Sequence, residues 1–159
     1  MNSDVRTAAQ RGITLPIPFG WYVVDYADDL SVGAVKPLRY FAKDLVLWRG
    51  EDGRARMLDA YCRHLGAHLG EGGKVHGNWI ECPFHAWRYD ETGAVADIPY
   101  SKSIPPQVKR PCIGSWHVVE RNRLIWAWYH PAGAPPLWDV VDLPETADPA
   151  WTAFDRYEW

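Results

Sequence analysis

Cysteine is scarce in this chain of 159 residues: there are three, at positions 62, 82 and 112. Two of them sit in short loops and Cys112 has no obvious partner, which argues against a disulfide framework. Long apolar runs are also missing. No stretch approaches the roughly eighteen residues a membrane-crossing helix needs. The first twenty residues, MNSDVRTAAQRGITLPIPFG, hold no apolar core of a signal peptide. The expectation is therefore a cytoplasmic protein with no signal peptide and no membrane span. Basic runs are absent too, and a net charge of −3 gives no nucleic-acid surface. Finally, no segment of ten or more residues carries a helical apolar period. The apolar and charged fractions, 47% and 23%, are ordinary and exclude disorder. A chain of this length buries roughly two-thirds of its unfolded surface, enough for one cored domain and an appendage.

What the chain does hold is strand signal, and ten tryptophans suited to a β-rich core. Residues 1–20 are polar and then broken by Pro16, Pro18 and Gly20, and read as an arm with at most a short helix. Trp21–Tyr26 is aromatic and β-branched. Val35–Ala42 reads as a second strand, with Pro37 pointing to an edge or bulge. Asp44–Arg49 is an apolar strand, Gly50–Gly53 its turn, and Arg54–Ala60 the returning partner. Asn78–Cys82 and Trp87–Asp90 are short strands, with Glu91-Thr92-Gly93 turning the second back. Residues 99–115 are irregular and proline-rich. Trp116–Glu120 and Leu124–Tyr129 form a hairpin about residues 121–123. From Pro131 the sequence is rich in proline and alanine and reads as a connector along a surface. AFDRYEW, at the end, resembles the start of a further strand. The organisation expected is an arm over 1–20, a domain over 21–130, and a connector over 131–159 leading to a further domain not contained here.

The chemistry lies between Tyr61 and Asp90. Cys62-Arg63-His64 offers a thiol and an imidazole two positions apart, and Cys82-Pro83-Phe84-His85 offers the same pair three apart. Seventeen residues separate the two loops. A [2Fe–2S] cluster held by two cysteines on one iron and two histidines on the other requires this donor set. Zinc would accept the same groups, but zinc sites place cysteines in pairs two to four apart, and histidines likewise. Unliganded, buried cysteine and histidine is the blandest alternative, and two matching loops in one chain disfavour it. Gly66, Gly70, Gly72, Gly73 and Gly77 let backbone fold tightly and bring N–H groups near an anion. His68 reads as packing beside the site, not as a ligand, and His76 and His130 as surface or turn histidines. Trp87 either covers the cluster from water or simply packs in the core.

The pieces GWYVV, DLVLWR, LDAYCRHLGAHLGEGGKV, IECPFHAWRYD and the following IPY resemble the N-terminal Rieske domain of Rieske non-haem iron oxygenases. Within that superfamily they are most similar to the group of 3-ketosteroid 9α-hydroxylase oxygenase components. The likeness spans about Phe19 to Pro136. It implies an all-β Rieske fold: stacked antiparallel sheets with a small inserted cluster subdomain at about 61–100. It implies that Cys62 and Cys82 hold one iron and His64 and His85 the other. It implies one-electron transfer, with a reductase or ferredoxin as donor, a mononuclear-iron catalytic domain as acceptor, and a homotrimer for the full-length protein. The disulfide cysteines of the bc1-type Rieske loops are replaced here by Ala67 and Phe84. No serine follows the second loop, so fewer hydroxyl donors are expected and a potential nearer roughly −150 mV than +300 mV. An Asp…His…His motif for the mononuclear iron is not found after His85. The chain alone is expected to transfer electrons without activating oxygen. A stand-alone Rieske ferredoxin is the alternative reading, and a zinc-stabilised interaction module the remote one. Nothing in the residues names a substrate, which belongs to the catalytic domain. Arg63 and Arg88 flank the loops as candidates for an acidic partner.

Overall fold

The computed structural model describes residues 16–150. Most of the arm and the segment AFDRYEW lie outside the described residues. Ten strands form three antiparallel sheets. They are β1 (Gly20–Tyr26), β2 (Val35–Tyr40), β3 (Lys43–Arg49), β4 (Ala55–Asp59), β5 (Lys74–His76), β6 (Trp79–Glu81), β7 (Arg88–Tyr89), β8 (Val95–Asp97), β9 (Val118–Arg121) and β10 (Leu124–Tyr129). The orders are β1-β10-β9, β2-β3-β4 and β5-β6-β7-β8. The described residues contain no α-helix, only two 3₁₀ turns at Ala27–Asp29 and Pro144–Ala147. No helix among them is long and apolar enough to cross a membrane.

β3 explains the layering. Leu45 through Arg49 are all buried, so both faces of this strand are covered. Successive side chains of a strand point to opposite faces. Leu45, Leu47 and, on β4, Met57 enter a core with Val24, Leu30, Ile125 and Ala127. Val46, Trp48 and Leu58 enter the other, with Cys62, Leu69, Ile80, Cys82 and Tyr89. The β2-β3-β4 sheet is thus the middle layer, and its second face reaches the two cysteines. Each fully buried side chain of this size contributes roughly 1.5–3 kcal/mol.

Pro37 sits on β2, an edge strand opposite Val46, where its missing N–H interrupts no ladder. The strand stops at Tyr40, two residues before the expected end at Ala42. Phe41 and Ala42 form the two-residue turn to β3 with φ of 55° and 57°, the left-handed pattern of a type I′ hairpin. Neither residue favours it. Phe41 is held there by its ring, stacked on Trp116 at 5.2 Å and on Tyr129 at 4.7 Å. Arg49 joins the layers. Its guanidinium donates to the carbonyls of Ala27, Leu30 and Gly53 and pairs with Glu120 of β9 at 2.6 Å.

The third sheet is hooked to the middle layer by its β5–β6 turn. Trp48 Nε1 donates to the Asn78 carbonyl at 3.1 Å, and Glu51 N to the Gly77 carbonyl at 2.8 Å. Residues 131–150 follow the surface of the first sheet. Asn122 holds them there, donating to the Val141 carbonyl and accepting from Leu143 N, while Trp138 packs on Phe19 and Trp128.

Candidate metal centre

Both motif loops are turns of one construction. Cys62 N donates to the Ala67 carbonyl at 2.9 Å, and Gly66 N to the Cys62 carbonyl at 2.9 Å. In the second loop Cys82 N donates to the Trp87 carbonyl at 2.8 Å, and Ala86 N to the Cys82 carbonyl at 3.1 Å. The fifth residue of each loop is left-handed, Gly66 at φ 73° and Ala86 at φ 54°. Glycine adopts that conformation freely. Alanine does not, at roughly 1–2 kcal/mol, and it tolerates the position because the turn around it is fully hydrogen-bonded. β4 and the Tyr61–His68 bridge anchor the first loop, and β6 and β7 the second.

The four predicted donors meet in two pairs, cysteine with cysteine and histidine with histidine. Cys62 and Cys82 are buried and free of disulfide, and Cys82 lies within hydrogen-bonding reach of Cys62. The His64 and His85 rings are 4.9 Å apart between centroids. Burial pushes the Cys82 thiol up, while backbone N–H groups of Phe84 and His85 pull it down by bonding the sulfur. Those N–H bonds are the kind that tune an iron–sulfur centre.

The fit to a metal cluster rests on one atom. His64 Nδ1 is, among the described residues, the only buried side-chain nitrogen or oxygen without a hydrogen-bond partner. An unpaired buried polar atom costs about 1–3 kcal/mol, and a neutral imidazole nitrogen is a ready metal ligand. Two buried thiols and this nitrogen, with His85 beside it, suit a site whose positive charge offsets thiolate burial. No three His, Cys, Asp or Glu groups among the described residues converge as a single-ion site would need.

Trp87 packs against the core and against one predicted donor. Its ring lies flat against His64, 4.6 Å between centroids and 5° between planes. Tyr89 was not legible as a site residue. It is fully buried on β7, with its hydroxyl 3.1 Å from Cys62 Sγ and 3.1 Å from Arg63 N. The Arg63 N–H donates to that oxygen; between the hydroxyl and a neutral thiol either can donate, whereas a metal-bound thiolate can only accept from Tyr89. The expectation of few hydroxyl donors is corrected to this extent: serine is missing after the second loop, but a tyrosine supplies one bond. A buried tyrosine seven residues past Cys82 was the available signal, since a buried hydroxyl needs a partner. Burial, and then the bond to Cys62, push the Tyr89 hydroxyl well above its ordinary pKa, so it stays protonated as a donor.

His68 meets Tyr61 edge-on and accepts from Gly70 N at 3.1 Å, a packing role. His76 lies on β5 beside Glu81 at 3.0 Å. His117 immediately precedes β9, one residue outside the observed start of the expected strand, and His130 follows β10 in a turn, as expected. Arg88 is not available to a partner, since Glu81 and Asp97 hold it at 2.8 Å each. Cys112 is half-buried against the Gly93 carbonyl.

Stacked antiparallel sheets carrying two Cys/His turns over a buried thiol pair define an iron–sulfur domain. Residues 20–111 match the Rieske [2Fe-2S] domain family, and the chain belongs to it; the cofactor of that family is the Rieske-type [2Fe–2S] cluster. Cholesterol 7-desaturase of Bombyx mori is 40% identical over 158 residues, which is 98% of this chain and 34% of that protein. The 3-ketosteroid-9-alpha-monooxygenase oxygenase component of Rhodococcus rhodochrous is 35% identical over 157 residues, 99% of this chain and 39% of that one. Among solved structures, dicamba monooxygenase superposes with a TM-score of 0.69 at 30% identity, over 82% of this chain and 39% of that one. The complex of oxygenase and ferredoxin in carbazole 1,9a-dioxygenase gives 0.62 at 25% identity, over 74% and 30%. The chain spans about a third of the length of the curated relatives.

Proposed function

We propose that Cys62 and Cys82 hold one iron of a [2Fe–2S] cluster, that His64 and His85 hold the other, and that the domain carries single electrons. The observation behind the ligand set is the orphaned, buried His64 Nδ1 beside two buried thiols. Bound there, the cluster takes up and returns one electron at a potential set by its ligands and hydrogen bonds. The chain's own residues do the rest. The paired turns fix the four donors before metal arrives. Backbone N–H groups of Phe84 and His85 and the Tyr89 hydroxyl point at sulfur. Each such bond favours the more negative, reduced state. Trp87 covers one face of His64 and keeps water from it.

The domain serves, on this reading, as the electron-entry part of a Rieske-type oxygenase. Its donor is a reductase or ferredoxin, and its acceptor a mononuclear-iron catalytic domain. The names of the relatives support this, two of them concerning sterols, so a sterol-like substrate is proposed for the whole enzyme. The solved oxygenase–ferredoxin complex of carbazole 1,9a-dioxygenase supports the kind of donor. Three free cysteines suit a reducing, cytoplasmic compartment.

Variants of each loop test the ligand set. Cys62→Ser and His64→Ala in one loop, and Cys82→Ser and His85→Ala in the other, are each expected to abolish the visible absorption of the reconstituted protein. A variant that keeps the native spectrum removes its residue from the ligand set.

A further inference from the structure

A half-buried imidazole, its Nδ1 fully covered, is joined here to an exposed tyrosine by two contacts. The Trp87 ring lies flat on His64, and its Nε1–H donates to the Tyr100 hydroxyl at 2.7 Å. Tyr100 is 65% exposed. One ring stack and one hydrogen bond thus link His64 to solvent without a gap. Phe84, 62% exposed, stands beside Tyr100, and both line an open cleft of about 410 Å³ with His85 and Lys74. Neighbouring exposed aromatics over a buried site mark a contact surface.

The charges around the cleft state which kind of partner fits. Lys74 and Lys102 form no ion pair among the described residues. Glu81, the carboxylate of the cleft, is already held by Arg88 at 2.8 Å and His76 at 3.0 Å. From Ile98 to Val119 there is no Asp or Glu, while Lys102, Lys109 and Arg110 fall in that stretch. Glu71, next to Gly72 of the cleft, is the one opposing exposed carboxylate nearby in sequence. On a chain whose net charge is −3, Lys74 in the cleft and Lys102, two residues past Tyr100, are thus unneutralised cations.

We propose that the Phe84–Tyr100 cleft is the docking face for an acidic one-electron donor protein of the ferredoxin class, and that its electron enters through Tyr100, Trp87 and His64. This rests on the electron-transfer reading above. One electron leaves the reduced donor, which is oxidised, and one ferric ion held by this chain becomes ferrous. No bond is made or broken, no proton moves, and Trp87 and Tyr100 end unchanged.

The test uses the full chain with its cluster bound and a reduced plant-type [2Fe–2S] ferredoxin, chosen for its acidity. Stopped-flow absorbance follows reduction, with photoreduced deazaflavin as a small donor that needs no docking face. The double substitution Lys74→Glu, Lys102→Glu is expected to slow reduction by ferredoxin about tenfold at low salt and to flatten its salt dependence. The deazaflavin rate should stay at the native value. Tyr100→Phe keeps the ring and removes the Trp87 bond. It should lower the rate at saturating ferredoxin severalfold, with the midpoint potential unchanged. A native ferredoxin rate in the lysine double variant overturns the docking face. A native saturating rate in Tyr100→Phe overturns the route, and so does an equal slowing with both donors, which would mean a changed centre. A native chain that takes up no iron and sulfide overturns the underlying reading and this one with it.

Discussion

At the scale of single residues, Tyr89 decides how far the potential departs from that of a centre without hydroxyl donors. Its hydroxyl, 3.1 Å from Cys62 Sγ, favours the reduced state. If that bond is worth about 1 kcal/mol more after reduction, Tyr89→Phe lowers the midpoint potential by roughly 40 mV. Protein-film voltammetry reads this directly, and an unchanged potential would remove Tyr89 from the tuning. Away from the centre, Asp52 is held below the usual carboxylate range, first by the Arg56 guanidinium and then by the Arg54 N–H. Arg56 itself is buried and donates to both oxygens of Asp52. A carboxyl whose folded pKa is lowered adds stability above its ordinary value of about 4, and this is lost as pH falls through the lowered value. Urea unfolding should find Asp52→Asn less stable than the native chain at pH 7. The gap should close below pH 4; a gap that persists unchanged at pH 2 would show that the pair's charge is not what stabilises it.

At the scale of elements, the first ligand turn and the stretch leading into β5 separate a glycine that serves conformation from one that serves space. Gly66 is left-handed at φ 73° and a Cβ there would meet nothing within 4 Å. Gly66→Ala should therefore cost only about 1 kcal/mol. At Gly73 a Cβ would sit 2.0 Å from the Leu69 carbonyl oxygen and 3.0 Å from that of Glu81, both backbone. Gly73→Ala should cost about 3 kcal/mol, and equal denaturation midpoints for the two variants would contradict this. These elements also show what the sequence makes legible. β1, β3, β4, β6, β7, β9 and β10 follow from aromatic and β-branched runs between turn residues. β5 and β8, three residues each, were missed because one lies in a glycine-rich stretch and both draw their order from neighbours. The end of β2 was misplaced because Phe41 is held in a turn by rings distant in sequence. The motif put forward Cys62, His64, Cys82 and His85, and the fold pairs the two cysteines and the two histidines. Tyr100 and the pairing of Arg88 could not be read from it, and Tyr89 only as a tyrosine near the second loop, since each depends on which side chains the fold places opposite one another.

At the scale of the molecule, the middle sheet is the frame. Its alternate residues fill two cores, one closed by β1, β9 and β10 and the other ending at the cysteines. The two cysteines are thus seated in the second core, while His64 and His85 are half-buried and Leu65, Phe84 and Tyr100 at the tip remain exposed. A rigid base under an accessible tip suits a centre that exchanges electrons with other proteins and is not itself rebuilt in doing so. The central claim is the identity of the bound group. It is tested most directly by counting iron, zinc and acid-labile sulfide per chain after anaerobic purification. The account predicts about two irons and two sulfides per chain with no zinc, as a [2Fe–2S] cluster requires. One zinc without sulfide would contradict it and leave a structural metal domain in place of an electron carrier.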